Sequence, residues 1–134
     1  MHSTTTVLLW FSAVGCGLLA GLYFAFSVFI MVALGRIEPS AGIAAMNSIN
    51  TVIVRSLFMP LFLGSTLVAL VLAGVAPFQW QQPGSALILA GGVIHVIGMF
   101  VCTMVFNVPL NNALMATDAA SARGADVWAR YLRE

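Results

Sequence analysis

Apolar residues fill three long stretches of the chain, and formally charged residues are confined to the segments around them. Residues 1–35 and 56–117 contain no Lys, Arg, Asp or Glu. A charge-free apolar run of about 18 residues or more is typical of a membrane-spanning helix. The pattern predicts spans at residues 7–34, 56–76 and 85–106 within a single domain, 1–134. Because the residue before a proline disfavours the helical conformation, we expect the third span to stop at Asn107, before Pro109.

Two short segments outside the spans have the apolar spacing of amphipathic helices. Residues 39–50 place Ile43, Met46 and Ile49 on one face. Residues 119–133 carry a second apolar face that includes Trp128, with Asp118 as the expected N-cap. The predicted fold is therefore an all-α membrane protein, a helical bundle with three transmembrane helices and two amphipathic helices.

Composition and charge place this bundle in a membrane and suggest its orientation. The chain is 61% hydrophobic and 7% charged, against roughly 25% charged residues in ordinary soluble domains. It has no basic stripe, which excludes a nucleic-acid partner. All its basic residues lie in the 35–55 loop or after the third span. The positive-inside rule then predicts a multi-pass cell-membrane protein with the N-terminus outside, and with the 35–55 loop and the C-terminal segment in the cytoplasm.

Small residues that recur every three or four positions mark faces of the spans where helices could approach closely. These faces also indicate that copies of the chain could associate as a homo-oligomer. They comprise Gly17, Gly21 and Ala25; Ser65, Ala69 and Ala73; and Gly91, His95, Gly98 and Cys102. The third face has a second interpretation, because small residues there could line a cavity.

His95 is the first candidate for chemistry. It lies about 15 Å into the third span, near the bilayer midplane, where an ionisable group is by default a functional hypothesis. It could act as a general base, or it could be a neutral imidazole whose hydrogen bonds are met by a carbonyl or hydroxyl. No span contains an acidic residue, so neither a metal cluster nor a catalytic triad is expected, and no cofactor is implied.

Three further candidates carry polar atoms suited to an oxygen-containing ligand. Tyr23, paired with Ser27 one turn later, could orient or protonate such a ligand, or bond to another helix. Asn107 belongs to a set of asparagines at the predicted cytoplasmic ends of the spans, close to Arg55. Amides and a guanidinium there could bind a polar head or an enolate-like oxygen, although asparagine also suits caps and turns.

Several blocks of the sequence resemble one family of membrane proteins. They are residues 21–29 (GLYFAFSVF), 33–36 (ALGR), 42–50 (GIAAMNSIN), 106–114 (FNVPLNNAL) and 128–132 (WARYL). Together they resemble the anthrone oxygenase-like integral membrane family, long catalogued as a domain of unknown function. The resemblance covers nearly the whole chain, and the Asn-Val-Pro-Leu-Asn block is its most specific part.

The resemblance implies a four-span bundle, whose fourth span lies beyond the family's Trp-x-x-Tyr-Leu stretch and is absent from residues 1–134. Some members oxidise anthrones to anthraquinones with molecular oxygen and no evident cofactor. By that analogy, His95 is the expected base, Tyr23 and Asn107 bind oxygen, and Arg55 stabilises charge. The alternative is a non-enzymatic membrane protein that binds a lipid-like molecule or supports a partner complex. A transporter is a third hypothesis.

Overall fold

Five helices and no strand make up the part of the chain that the computed structural model describes, residues 3–133. Three of them are long and apolar enough to cross a membrane: α1 (Ser3–Leu34), α3 (Phe58–Val75, continued by a 3₁₀ turn to Gln79) and α4 (Ser85–Met115). The two shorter helices are α2 (Pro39–Ile53) and α5 (Ala122–Tyr131). The all-α prediction with three candidate spans and two amphipathic helices is confirmed.

The central helix of the bundle is α3, which packs against α1 on one side and α4 on the other. The contacts depend on small residues. A Cβ atom added at Gly92 of α4 would lie 2.8 Å from the Ala69 carbonyl oxygen and from Ala73 Cβ. On the other side, a Cβ added at Gly15 would lie 3.4 Å from Ser65 Cβ. The predicted packing face of α3 is therefore used against both of its neighbours.

The predicted glycine faces of α1 and α4 do not make these contacts. A Cβ added at Gly17, Gly21, Gly91 or Gly98 would meet nothing within 4 Å. Glycines one or two positions away, Gly15 and Gly92, take their place. Each residue along a helix turns the side chain by about 100°, so a spacing rule finds the period of a packing face without fixing which neighbour it meets.

The predicted end of the third span at Asn107 is wrong as a helix end, because α4 continues through Pro109 to Met115. Residues Thr103–Asn107 form a π-helical segment, and the Val108 N–H donates to the Thr103 carbonyl five residues earlier. This wider turn precedes Pro109, which falls in the first turn of the following α-helical segment. Proline is tolerated there, since its missing N–H is not required by that segment.

The last helix starts later than the sequence predicts. The N-cap of α5 is Ser121, whose Oγ accepts a hydrogen bond of 3.0 Å from the Gly124 N–H. The predicted cap, Asp118, instead accepts from the Ala120 N–H at 3.0 Å and stabilises the preceding turn. Ser121 is extended and so has the backbone geometry of a cap.

Helices α2 and α5 pack together over one end of the bundle, and we call this pair the cap. Its core is formed by Ile43, Met46, Leu114 and Trp128, of which Ile43 and Leu114 have no exposed area. Leu114 belongs to the part of α4 beyond Pro109, so this part of the helix forms one side of the core. The apolar faces of the two amphipathic helices are thus buried against each other and against α4.

The closest approach within the cap is between Gly42 and Trp128. A Cβ atom at position 42 would lie 2.7 Å from Cζ2 and 2.9 Å from Cε2 of the indole, closer than such atoms pack. Trp128 is 3% exposed and also stacks on Tyr131, with ring centroids 5.7 Å apart. The indole therefore has little room to move aside.

We expect Gly42→Ala to lower the free energy of unfolding by about 1–3 kcal/mol, because the added methyl overpacks the cap core. Thermal unfolding of the detergent-solubilised protein measures this. Gly17→Ala is the matched control, since its methyl would meet open space. Equal melting temperatures for the two variants would contradict the described contact.

Candidate functional site

A cavity of about 510 Å³ lies beneath the cap, where α1, α3 and α4 meet it. Its volume is within the range of about 300–1,000 Å³ usual for ligand pockets. All five helices contribute to its wall, which includes the π-helical segments Phe26–Ile30 and Thr103–Asn107. Such segments often accompany functional sites, because they shift side chains out of α-helical register.

Most of the wall is apolar, with three phenylalanines and four methionines. Phe58 and Phe62 stack with ring centroids 5.3 Å apart and form an aromatic wall on α3. The polar residues in the wall are Tyr23, Ser27, Asn50, Thr103, Asn107, Asn111 and Tyr131. No residue lining the cavity carries a formal charge. An uncharged and largely apolar wall with a few hydrogen-bonding groups is thus what the cavity offers a ligand.

Tyr23 and Thr103 connect two of the spans at the edge of the cavity. The Tyr23 hydroxyl lies 2.9 Å from Thr103 Oγ1, and either oxygen can be the donor. Each hydroxyl retains further hydrogen-bonding capacity while it makes this contact. The pair can therefore hold α1 against α4 and still bind a ligand oxygen.

A second polar group lies where α2, α4 and α5 meet. The Tyr131 hydroxyl donates to Asn111 Oδ1 at 2.5 Å. Burial raises the pKa of Tyr131, and the neighbouring Asn50 side chain opposes part of that effect. The phenol is thus neutral and able to donate at physiological pH. The Asn50 Nδ2 atom is buried, and it makes no hydrogen bond of good geometry, although it lies close to Tyr131.

His95 lies in a separate polar cluster between α1, α3 and α4. Its Nδ1 is 3.2 Å from Cys16 Sγ, and its Nε2 is 3.3 Å from Ser65 Oγ. Ser65 Oγ donates to the Phe62 carbonyl at 3.1 Å, so it accepts from His95 Nε2–H. Nδ1 is then left to accept the Cys16 thiol proton, and every group in the chain of bonds is satisfied with the imidazole neutral.

The structure brings two of the four predicted site residues together and leaves two outside. Tyr23 and Asn107 both line the cavity. His95 and Arg55 are not among the lining residues, and Arg55 is exposed on the loop after α2. His95 precedes Thr103 by eight residues, or about 12 Å along the helix. In this arrangement its imidazole does not contact the cavity.

Comparison with known families adds an assignment that geometry alone does not give. The sequence profile of the anthrone oxygenase family matches residues 49–133, well over half of the chain. The chain belongs to the anthrone oxygenase family. No curated protein and no solved structure is significantly similar to it.

The family match covers the cavity unevenly. It includes Arg55, His95 and Asn107, together with the helices α3, α4 and α5. Tyr23 and the rest of α1 precede the matched residues, so the α1 wall of the cavity lies outside the part that identifies the family. The family match thus covers fewer residues than the resemblance described from the sequence, which extends over nearly the whole chain.

Two residues of the site were missed by the sequence reasoning. Thr103 was not singled out, although Tyr23 in an apolar span needs a polar partner on a facing helix. Cys16 is likewise not among the candidates drawn from the sequence, yet its thiol bonds to His95. The interpretation of His95 as a neutral imidazole bonded to a hydroxyl matches the Ser65 contact. Among residues 3–133, no group of three His, Cys, Asp or Glu side chains is placed to hold a metal.

Proposed function

We propose that this protein oxidises a hydrophobic phenolic or anthrone-like substrate with molecular oxygen, without a cofactor. Its membership of the anthrone oxygenase family supports the reaction class. The observation that carries the proposal is the uncharged aromatic cavity, with Tyr23 and Asn107 in its wall. A three-ring aromatic ketone has the flat shape and the oxygen atoms that such a wall can bind.

The proposed chemistry begins with loss of a proton from the methylene carbon opposite the anthrone carbonyl. The resulting enolate is electron-rich and can donate an electron to oxygen. Overall, the methylene loses two hydrogens and gains one oxygen atom, and the second oxygen atom leaves as water. The protein's contribution is to hold donors at the carbonyl oxygen, where negative charge develops.

Tyr23 and Asn107 are the proposed donors. Both residues line the cavity, and their O–H and amide N–H groups would donate to the ligand's carbonyl oxygen. Apolar surroundings strengthen such bonds. Removing one donor of this kind from an enzyme commonly costs on the order of a hundredfold or more in rate. The assignment of His95 as the base stays a prediction, and its two hydrogen bonds favour a role in positioning the helices.

Oxygen uptake by the purified protein with anthrone, corrected for autoxidation, tests the proposal. We expect Tyr23→Phe and Asn107→Leu each to lower turnover by about a hundredfold, because each removes one donor to the enolate oxygen. Thr51→Ala is the control, since Thr51 is exposed and its hydroxyl bonds only to its own helix at Asn47.

His95→Gln separates the two roles of the histidine. If His95 is the base, turnover falls at least as far as in Tyr23→Phe while the melting temperature is kept. Unchanged turnover removes that assignment. Tight anthrone binding without oxygen uptake in any variant would contradict the enzyme proposal and favour the non-enzymatic binding function.

The orientation in the membrane is part of the proposal. Arg36 and Arg55 flank α2, and the other three arginines lie after α4, so all basic residues are at the cap end. The cap would then face the cytoplasm, with the N-terminus and the loop at residues 80–84 outside.

Single cysteines placed in a background without Cys16 and Cys102 test this orientation. A membrane-impermeant maleimide should label Gln81→Cys in intact cells, and should label Ser48→Cys only after the membrane is permeabilised. The reverse pattern would contradict the orientation while leaving the cavity and its chemistry in place.

A further inference from the structure

Part of the cavity wall is buried and part is exposed. Met46 of α2 and Phe62 of α3 line it and are buried, at 5% and 3% exposure. Ser27 of α1, with Met104 and Asn107 of α4, also line it but are exposed, Met104 by 47%. The three exposed residues therefore form the rim of an opening between α1 and α4.

On the side away from the cap, the opening ends at a hydrogen bond between α1 and α4. Ser27 follows Tyr23 by four residues, and Asn107 follows Thr103 by four, so the rim lies about one turn beyond the Tyr23–Thr103 hydrogen bond. That bond ties α1 to α4 on the side away from the cap. On the cap side of this bond, the segments Phe26–Ile30 and Thr103–Asn107 make few close backbone contacts with each other.

The outer surface around the rim is apolar. Phe24 and Val28 of α1 are 65% and 53% exposed, and Val105 and Phe106 of α4 are 55% and 63% exposed. Both helices are apolar enough to cross a membrane. Large exposed apolar side chains on such helices face lipid more favourably than water. The opening therefore faces the acyl chains or the interfacial layer of the bilayer.

We propose that the cavity is loaded sideways from the membrane, through the gap between α1 and α4 at Ser27, Met104 and Asn107. The ligand class is an uncharged polycyclic aromatic ketone or phenol dissolved in the bilayer. This inference rests on the proposed function in taking the cavity as the ligand site and in the class of ligand. The absence of charged lining residues disfavours phosphates and carboxylates, which would be buried without a counter-charge.

A competing route exists at Val54, which lines the cavity and is 56% exposed. It lies on the loop after α2, beside the exposed Arg55. A ligand that arrived there would come from the headgroup or aqueous side. The apolar surroundings of the α1–α4 gap favour the sideways route for a ligand that partitions into lipid.

Bulky substitutions at the two openings decide between the routes. The protein is placed in phosphatidylcholine vesicles, and 1,8-dihydroxyanthraquinone is the probe, followed by its own fluorescence anisotropy in a stopped-flow instrument. We expect Ser27→Trp and Met104→Trp to slow association and dissociation by about tenfold or more, because an obstructed passage slows movement in both directions. Val28→Trp and Val105→Trp, which alter neighbouring lipid-facing positions outside the cavity wall, should change neither rate by more than about twofold.

Three results would overturn the proposal. Slowing by Val54→Trp, but not by Ser27→Trp, would place the route at the loop. Equal slowing by the rim and control variants would show a general effect on the fold. Weaker binding with an unchanged association rate would make Ser27 and Met104 contact residues and not a passage.

The design keeps this test apart from that of the enzyme. Probe binding is measured without oxygen chemistry, so slow rim variants with no oxygen uptake in wild type would support the sideways route and reject the oxygenase. Normal oxygen uptake by the wild type, together with rim variants whose rates are not slowed, would support the oxygenase and reject the sideways route.

Discussion

Polar groups placed inside apolar helices must find their partners within the protein, and this constraint organises the whole bundle. Cys16, His95 and Ser65 satisfy one another across α1, α3 and α4. Tyr23 and Thr103 do the same between α1 and α4. These two clusters fix how the helices are rotated and how far they are shifted along one another. Another set of polar side chains, including Asn50, Asn107 and Asn111, lines the cavity beneath the cap.

The cap turns that end of the bundle into a site. Its core of Ile43, Met46, Leu114 and Trp128 is the best-buried apolar cluster among residues 3–133, whereas the spans themselves are largely exposed for contact with lipid. α4 reaches this core because it continues through Pro109, which follows the π-helical segment in the first turn of the next α-helical segment. The π-helical segment carries Thr103 and Asn107 into the cavity wall. One local feature of the backbone thus serves both the packing of the cap and the chemistry of the site.

Periodicity and charge predicted which segments are helices. They did not predict which residues meet between helices. Long apolar runs and the Ile43–Met46–Ile49 spacing identify spans and amphipathic helices without any tertiary information. The pairing of Tyr23 with Thr103 spans 80 residues and depends on helix rotation, which no spacing rule fixes. For the same reason Gly15 and Gly92 replaced the glycines expected at the contacts. The sequence places His95 in the third apolar helix, but only the structure shows that its partners are Cys16 and Ser65 and that it is not among the residues lining the cavity.

The central claim is that a ligand occupies the cavity between the cap and the three spans. Hydrogen–deuterium exchange of the vesicle-embedded protein, with and without anthrone under argon, tests it most directly. Bound ligand should slow exchange in residues 46–54 and 122–131, because α2 and α5 then open less often. The loop at residues 80–84, at the opposite end of the bundle, should be unchanged. Protection absent from the cap, or confined to the surroundings of His95, would contradict the account.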